Sequence, residues 1–340
     1  MAQYLIPVYR FWSNYRDSVN LYYFYETVKK IGIPDSRIVV FLGEDIPCNA
    51  RNPFPGKIYA GAPSRVPPVY PLSFSSRVDV RSNEVNRQNF LDLLSGRYKP
   101  FMPRDRRIAS GPDSSVFVYF SGHSAVGYTK FQDFEDVAAG DIADGFESMR
   151  IDGRYKDLLW ISDTCRAASL HNEFYSPGII AIGSSSEQDK AYSHHRIGEI
   201  GQSLIDRFTM STQDAFRKLG VRNITLGEYF GHLDPKFLGS IPSIKTDLYT
   251  QNWSTTKLNH FIGNTNTPVR ITVAKTPYVF FNTTATETDT FTKIDVFSRH
   301  ENMGKFFQYT ESPKQPTFRN TLWTINLAVF VCIGTLVFVA

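Results

Sequence analysis

The chain of 340 residues is 42% hydrophobic and 21% charged, with a formal net charge of +4. This composition is typical of a folded globular protein, excludes a disordered one, and allows a large buried core. The modest charge, without a dense Lys/Arg stripe, argues against a nucleic-acid-binding protein. Three cysteines without a CxxC pair argue against a zinc ribbon or a disulfide framework.

Up to about Phe230, short apolar runs alternate with helix-like patterns. We predict strands at Tyr4–Val8, Arg37–Leu42, Ser115–Phe120, Leu158–Ser162 and Ile179–Ile182. We predict helices at Ser18–Ile31, Glu84–Ser95, Asp141–Arg150 and Ile200–Leu219. Strands that alternate with helices predict an α/β fold with a mostly parallel sheet flanked by helices. After Phe230 the alternation stops, and Val269–Val273 and Tyr278–Phe281 are only short strand-like runs.

The segment Thr321–Ala340 carries no charged side chain, and Trp323 stands near its start. About 20 apolar residues are needed for a helix that spans a bilayer, and tryptophan is enriched at the interface. We therefore predict a C-terminal transmembrane helix, with a buried core helix as the alternative. The N-terminus has no basic region and too short an apolar run for a signal peptide.

Two predicted strands end in residues that can carry chemistry. His123 follows Ser115–Phe120 within Ser-Gly-His, and Cys165 follows Leu158–Ser162 within Asp-Thr-Cys. Neighbouring parallel strands would bring both side chains to one edge of the sheet. An imidazole can take the proton of a thiol, and the thiolate can then attack a carbonyl carbon. From the spacing alone, two interpretations are equally open. Either the residues form a nucleophilic pair, or Cys165 is a buried structural thiol and His123 an unrelated turn residue.

A series of motifs surrounds these residues in order along the chain, between about residues 4 and 250. They are Arg10–Arg16, Gly32–Val39, Cys48–Pro53, Ser121–His123, Lys130–Asp133, Asp163–Ser169, Phe174–Pro177, Ser184–Ser185, Ser193–His194 and Ile205–Thr209. On these motifs the chain resembles the family of GPI transamidase catalytic subunits, which are relatives of the legumain-like cysteine peptidases.

The resemblance implies a caspase-like α/β fold and a cysteine-dependent transamidase that needs no cofactor for its chemistry. Cys165 would attack a proprotein carbonyl near its C-terminus, release the signal peptide, and pass the acyl group to the ethanolamine amine of a GPI lipid. His123 would carry the proton. Asn14 matches a family position whose side chain would orient the imidazole. The alternative role for Asn14 is that of a residue in an Asx-turn.

The resemblance also implies an organisation and partners. Residues 1–250 would be the catalytic domain, 251–320 a lumenal stalk or partner-binding region, and 321–340 the transmembrane helix. The protein would be a single-pass protein of the endoplasmic reticulum membrane, within a complex of transamidase subunits. Cys48 matches a cysteine that can form a disulfide with one of them, and nucleic acid is not among the expected partners.

Further residues take expected roles by the same resemblance. Gly122 and Ser124 would form the oxyanion loop with the Cys165 N–H, while the substrate cleft would be lined by Ser184, Ser185, Ser186, His194 and His195. A structural calcium ion is suggested at Asp35 and Asp79. However, Arg77 stands where the family has a glutamate, and a guanidinium does not ligate calcium.

Two other positions depart from the family pattern. Ser124-Ala125 replaces glycines after the histidine, which would strain the backbone if the position needs a positive φ. Arg166 adds a cation next to the nucleophile, which would favour the thiolate. Ser124-Ala125 leaves a catalytically weak scaffold subunit open as one alternative function. A hydrolase that cleaves after asparagine is the other alternative. The sequons at Asn223, Asn252 and Asn282 are candidates for N-glycosylation in a lumenal domain.

Overall fold

The computed structural model describes residues 2–7, 10–69, 77–98, 101–103, 106–107, 110–132 and 134–263. They belong to the first of two units into which the chain divides, Met1–Val269 and Arg270–Ala340. Among the described helices, none is long and apolar enough to cross a bilayer. The predicted transmembrane segment 321–340, both strand-like runs after residue 268, and Asn282 lie outside the described residues.

The described chain alternates strands with helices, as its sequence predicts. The strands are β1 (Ala2–Pro7), β2 (Ile38–Leu42), β3 (Val80–Arg81), β4 (Ser115–Ser121), β5 (Ser124–Ala125), β6 (Tyr128–Phe131), β7 (Glu135–Ala138), β8 (Asp157–Asp163), β9 (Ile179–Gly183), β10 (Ser193–Ile197), β11 (Gln202–Asp206) and β12 (Ser243–Lys245). The α-helices are α1 (Tyr15–Lys30), α2 (Arg87–Ser95), α3 (Ala139–Ile151), α4 (Ala167–His171), α5 (Arg207–Ala215), α6 (Leu226–His232), α7 (Pro235–Leu238) and α8 (Asn259–Ile262).

Seven strands form a central sheet in the order β12-β9-β8-β4-β1-β2-β3. Every neighbouring pair is parallel except β12 with β9, which is antiparallel. The predicted α/β fold with a mostly parallel sheet is therefore confirmed. A three-stranded antiparallel sheet, β5-β6-β7, and the hairpin β10–β11 stand apart from it.

The central strands are buried on both faces. In β4, Phe117 and Tyr119 join the core that contains α1, whereas Val118 and Phe120 join the core that contains α2 and α3. This division follows from the period of two along a strand. Phe24 of α1 stacks on Tyr119 with 3.9 Å between ring centroids. Strands buried on both sides are continuous apolar runs, which explains why the sequence predicts them well.

The predicted helix Ile200–Leu219 is wrong in its first part. Residues Gln202–Asp206 form β11, which pairs with β10, and the helix α5 begins only at Arg207. A short apolar run such as Leu204-Ile205 fits both the helical and the strand period, so pattern alone does not separate them. The antiparallel edge strand β12 was also not predicted, because Ile244 is its only apolar residue.

The residues just beyond position 250 pack onto the sheet. Phe261 and Ile262 of α8 are buried, and the Gln3 side chain of β1 donates from Nε2 to the Phe261 carbonyl at 2.9 Å. Residues 251–263, assigned by sequence to the stalk, thus belong to the first unit. The predicted domain boundary at residue 250 stays a prediction.

Candidate active site

The carboxyl ends of β4 and β8 bring His123 and Cys165 to one edge of the sheet. The two strands are parallel neighbours, and Ser121 pairs with Asp163 at their ends. His123 and Cys165 each lie two residues beyond this pair. Because neighbouring strands are about 4.8 Å apart, two loops that leave them in register stay close together. The structure therefore places both residues as the strand pattern predicts.

Asn14 fixes the tautomer of His123. Asn14 is 5% exposed and immediately precedes α1. Its Nδ2 donates to the Arg10 carbonyl at 2.7 Å, so its Oδ1 is the atom 3.0 Å from His123 Nε2. An amide oxygen only accepts, so His123 Nε2 carries the hydrogen. In the neutral imidazole, Nδ1 is then the nitrogen that accepts a proton.

Cys165 is half-buried in a tight turn between β8 and α4. Its Sγ lies 3.9 Å from the Ala191 carbonyl oxygen, the distance of a weak thiol hydrogen bond. The next residue, Arg166, has a φ of 54°, which non-glycine residues rarely adopt. The Arg166 N–H donates to the Asp189 carbonyl at 2.8 Å, and its Nη1 donates to the Glu187 carbonyl at 3.3 Å. Such backbone strain costs about 1–3 kcal/mol and occurs preferentially at functional sites.

Two hydroxyl groups join the loop of His123 to the loop of Cys165. Thr164 Oγ1 donates to the Gly122 carbonyl at 2.8 Å, Ser124 Oγ donates to the Cys165 carbonyl, and the two hydroxyl oxygens lie 2.8 Å apart. Ser124 begins β5 and is not one of the described residues with a positive φ. The strain that a serine would cause in a glycine conformation therefore does not arise.

The expected oxyanion loop is only partly available. The Gly122 N–H is directed at the Asp163 carbonyl across the strand pair, with 3.4 Å between nitrogen and oxygen. Gly122 is therefore not a donor for an oxyanion in this structure. The N–H groups of Ser124 and Cys165 stay the predicted donors.

Ser184 and Ser185 support the Cys165 turn from behind. They are 1% and 0% exposed, and both hydroxyls donate to the Thr164 carbonyl, at 3.0 and 2.8 Å. The Ser184 hydroxyl also accepts from the Thr164 N–H at 3.0 Å, and that of Ser185 from the Ala167 N–H at 2.9 Å. The structure thus places them beneath the turn, where they position it, and not on the surface of a cleft.

Residues 9–258 match the model of the Peptidase C13 family. This chain belongs to the peptidase C13 family. It is similar to the GPI-anchor transamidase of Saccharomyces cerevisiae, with 37% identity over 261 residues that cover 76% of this chain and 63% of that protein. It is also similar to the GPI-anchor transamidase of Mus musculus, with 38% identity over 272 residues, or 80% of this chain and 68% of that protein. The chain thus spans about two thirds of these relatives' length.

The C13 match includes Asn14, His123 and Cys165, and the resemblance inferred from the motifs is confirmed. The GPI-anchor transamidase of Homo sapiens is likewise 37% identical, over 76% of this chain and 65% of that protein. Among solved structures, Caspase-1 from Spodoptera frugiperda is similar with a TM-score of 0.42 and 8% identity, over 75% of this chain and 88% of that one. That degree of similarity says nothing about chemistry.

A buried group of charged residues, which we call the acid cluster, lies behind the two loops of this C13 chain. It contains Arg16, Asp17, Asp163 and Asp206. Arg16 Nε is 3.1 Å from Asp206 Oδ1, and Asn20 Nδ2 donates to Asp206 Oδ2 at 2.5 Å. The sequence by itself indicates no individual role for these residues. Its motifs Arg10–Arg16, Asp163–Ser169 and Ile205–Thr209 nevertheless include three of the four.

The acid cluster holds more carboxyl groups than cations. Burial raises the pKa of Asp163 well above its ordinary range and that of Asp206 to about 6. Burial opposes the charge of Arg16, but the neighbouring Asp17 and Asp206 raise its pKa, and Cys165 adds to this effect. Among the described residues, Asp17 Oδ2 and Asp163 Oδ1 are buried without a partner. The neighbouring carboxyl groups of Asp206 and Asp17 add to the rise in the Asp163 pKa, because like charges in a buried site disfavour a further negative charge.

The hairpin β10–β11 borders the thiol and carries both histidines of the expected cleft. The Ala191 carbonyl next to Cys165 Sγ lies just before β10. The rings of His194 and His195 are 4.2 Å apart, and His195 has a left-handed φ of 54°. Their contact with substrate stays a prediction, and so does that of Ser186.

The residues expected to hold calcium do not fit it. Asp35 Oδ2 lies 3.1 Å from Lys29 Nζ and 3.5 Å from Arg77 Nη1, so two cations already neutralise it. Asp79 Oδ2 accepts the Val40 N–H at 2.8 Å. In the described part of the chain, no three acidic, histidine or cysteine side chains are grouped as a metal site would require. Calcium needs six to eight oxygen ligands, and we derive no role for it.

Cys48 and two of the sequons lie on the surface. Cys48 ends a short 3₁₀ helix and is exposed, and the Asp45 carboxylate raises the pKa of its thiol. Asn223 and Asn252 are exposed, and the Asn252 side-chain oxygen accepts from the Ser254 hydroxyl at 2.8 Å. A partner disulfide at Cys48 and glycosylation at the two asparagines stay predictions.

Proposed function

We propose that this chain is the catalytic subunit of a GPI-anchor transamidase, with Cys165 as nucleophile and His123 as proton carrier. One observation carries the proposal: β4 and β8 end in register, and Asn14 holds His123 in the tautomer that can accept a thiol proton. The 37% identity to a protein named GPI-anchor transamidase supports the choice of reaction.

The reaction follows from these groups in two acyl transfers. His123 Nδ1 takes the Cys165 proton, and the thiolate forms a bond to the carbonyl carbon of the proprotein. The tetrahedral intermediate collapses, the C–N bond breaks, and the released amine receives the proton from the imidazolium. An incoming amine then gives a proton to His123 and attacks the thioester. The thiolate leaves and an amide remains.

We also propose the location and partners that the reaction needs. The catalytic domain would face the lumen of the endoplasmic reticulum, anchored by residues 321–340 and joined to other transamidase subunits. The exposed Cys48 would form a disulfide with one of them, because an unpaired surface thiol persists poorly in an oxidising compartment. The exposed sequons Asn223 and Asn252 agree with a lumenal surface.

The test is complementation of cells that lack their own catalytic subunit. We expect Cys165→Ala and His123→Ala to be expressed and to leave GPI-anchored reporters absent from the cell surface. His232→Ala is the matched control, because His232 lies on α6 and pairs with Asp214 at 3.2 Å. Normal anchoring by either dyad variant would exclude the dyad and favour a scaffold role.

A second candidate is a peptidase that transfers the acyl group to water, which the description of the C13 family favours. Incubation of the purified complex with a peptide donor and increasing hydroxylamine separates the two. A transferase gives the hydroxamate in proportion to the amine, whereas a hydrolase gives the free acid at an unchanged rate. A soluble asparagine peptide cleaved without partner subunits would favour the hydrolase.

A further inference from the structure

Arg207 is a half-buried arginine that has no acidic partner in the described part of the chain. It is the first residue of α5, and its Cζ lies 5.6 Å from the centre of the Tyr192 ring. Its Nη1 donates to the Phe237 carbonyl at 3.3 Å. Among the described residues, no carboxylate lies within 4.0 Å of this guanidinium, and Nε is buried without a hydrogen-bond partner. Buried guanidinium groups are normally paired, so this one has donors to spare.

Two nearby carboxylates are committed elsewhere. Asp206 precedes Arg207 in the chain, but its oxygens bind Arg16 at 3.1 Å and Asn20 at 2.5 Å. Asp189, in the loop that precedes Tyr192, accepts the Ile241 N–H at 2.9 Å. Both carboxylates therefore already accept hydrogen bonds from other groups, and neither lies within 4.0 Å of the Arg207 guanidinium.

Two histidines lie at the same place. His194 and His195 lie on β10 with their rings 4.2 Å apart, and β10 pairs with β11, which leads directly into Arg207. The pKa of His194 is lowered by burial, and then by the charges of His195 and Arg207. The two imidazoles can donate hydrogen bonds beside the charged guanidinium, and together these donors form a site that an anion would stabilise.

Arg207 is hydrogen-bonded to the segment that contacts the nucleophile. Tyr192 follows Ala191, whose carbonyl oxygen is 3.9 Å from Cys165 Sγ, and the Tyr192 carbonyl accepts the Arg207 N–H at 2.9 Å. The rings of Tyr192 and Phe237 are partly exposed, 45% and 36% by residue. A ligand bound to Arg207 therefore has a short path along an open aromatic surface to the thioester.

We propose that Arg207, His194 and His195 bind the phosphate of the amine acceptor, a phosphate ester of an amino alcohol, and so direct its amine to the thioester on Cys165. Arginine suits this ligand because its planar fork donates two parallel hydrogen bonds to phosphate oxygens. The acceptor role rests on the proposed function, whereas the phosphate site itself does not.

The test is binding of phosphoethanolamine to the purified transamidase complex that carries Cys165→Ala, so that no turnover occurs. We expect saturable binding, competition by inorganic phosphate, and at least tenfold weaker binding of ethanolamine. Arg207→Gln should weaken binding at least tenfold, and Arg207→Lys should restore part of it. The control is Arg217→Gln just beyond the end of α5, since Arg217 is 76% exposed in its side chain and pairs with Asp214.

A second readout separates a ligand site from a merely structural arginine. Bound phosphate should raise the pKa of His194, followed by NMR, and Arg207→Gln should abolish this rise. Equal binding by Arg207→Gln and Arg217→Gln, or equal binding of ethanolamine and its phosphate, would overturn the proposal. Binding as expected in a complex that transfers no acyl group to amines would reject the proposed function and keep the site. If Arg207→Gln transfers the acyl group to phosphoethanolamine with an unchanged KM, the phosphate site is rejected and the proposed function is kept.

Discussion

Replacing Asn14 tests the orientation of the proposed proton carrier. Asn14 Oδ1 lies 3.0 Å from His123 Nε2, and its own amide is fixed by the Arg10 carbonyl. Asn14→Ala removes the acceptor, so the Nε2 hydrogen loses its partner and the ring can rotate or change tautomer. We expect kcat to fall while KM changes little, because the lost interaction is strongest when the imidazole carries a proton.

The size of the effect follows from the charge on the ring. A hydrogen bond between neutral groups contributes about 0.5–1.5 kcal/mol, and one from a charged donor about 1.5–3 kcal/mol. The difference of about 1–1.5 kcal/mol applies only to the protonated state of His123, and about 1.4 kcal/mol corresponds to a factor of ten. We therefore expect kcat to fall about tenfold, and up to about 100-fold if the ring also loses its alignment.

The assay is amide formation from a peptide donor and an amine by the purified complex, measured across pH. Asn14→Asp provides a second check. A carboxylate next to Nε2 favours the imidazolium, so the acidic limb of the pH–rate profile should move to higher pH. The control is Asn52→Ala, because Asn52 is also buried but serves a loop, where it donates to the Lys57 carbonyl at 2.9 Å. An unchanged kcat in Asn14→Ala, or an equal loss in Asn52→Ala, would refute the reasoning.

Three further predictions concern the support of the site. Ser124→Ala removes one of the two hydroxyl links between the loops of His123 and Cys165. We expect kcat to fall about tenfold with little change in the melting temperature, and an unchanged kcat would contradict a role for this link. Burial lowers the pKa of His171 to about 4, so between about pH 6.5 and 4 the unfolded chain binds a proton that the native state does not. The free energy of unfolding should therefore fall as pH decreases, by up to about 1.4 kcal/mol per pH unit, and urea titrations of His171→Gln should lack this part of the slope. A Cβ on Gly183 would lie 2.7 Å from the Ala167 Cβ, so Gly183→Ala should destabilise by about 1–3 kcal/mol in urea titrations, while Gly198→Ala, with open space, should not.

The sequence could predict the elements whose signal is local. The runs that became β4 and β8 are apolar throughout because both faces of the sheet are covered, and each leads into a polar residue with useful chemistry. Parallel pairing then brings His123 and Cys165 to one edge, whatever the rest of the fold. By contrast, the strand Gln202–Asp206 was mistaken for helix, because its short apolar run fits either period.

The tertiary structure alone decided how those residues are held. The partner of His123 is Asn14, 109 positions away, and the three carboxyl groups of the acid cluster come from three separate segments. Ser184 and Ser185 look like surface turn residues by composition, yet the packing buries them beneath Cys165. Hydrogen bonds and desolvation depend on segments that are distant in the chain. Hydrophobic periodicity predicts only which face of its own helix or strand each residue lies on. The sequence by itself therefore determined the sheet and the placement of His123 and Cys165 at one of its edges. Only the packing of distant segments determined the tautomer of His123 and the raised pKa values of Asp163 and Asp206.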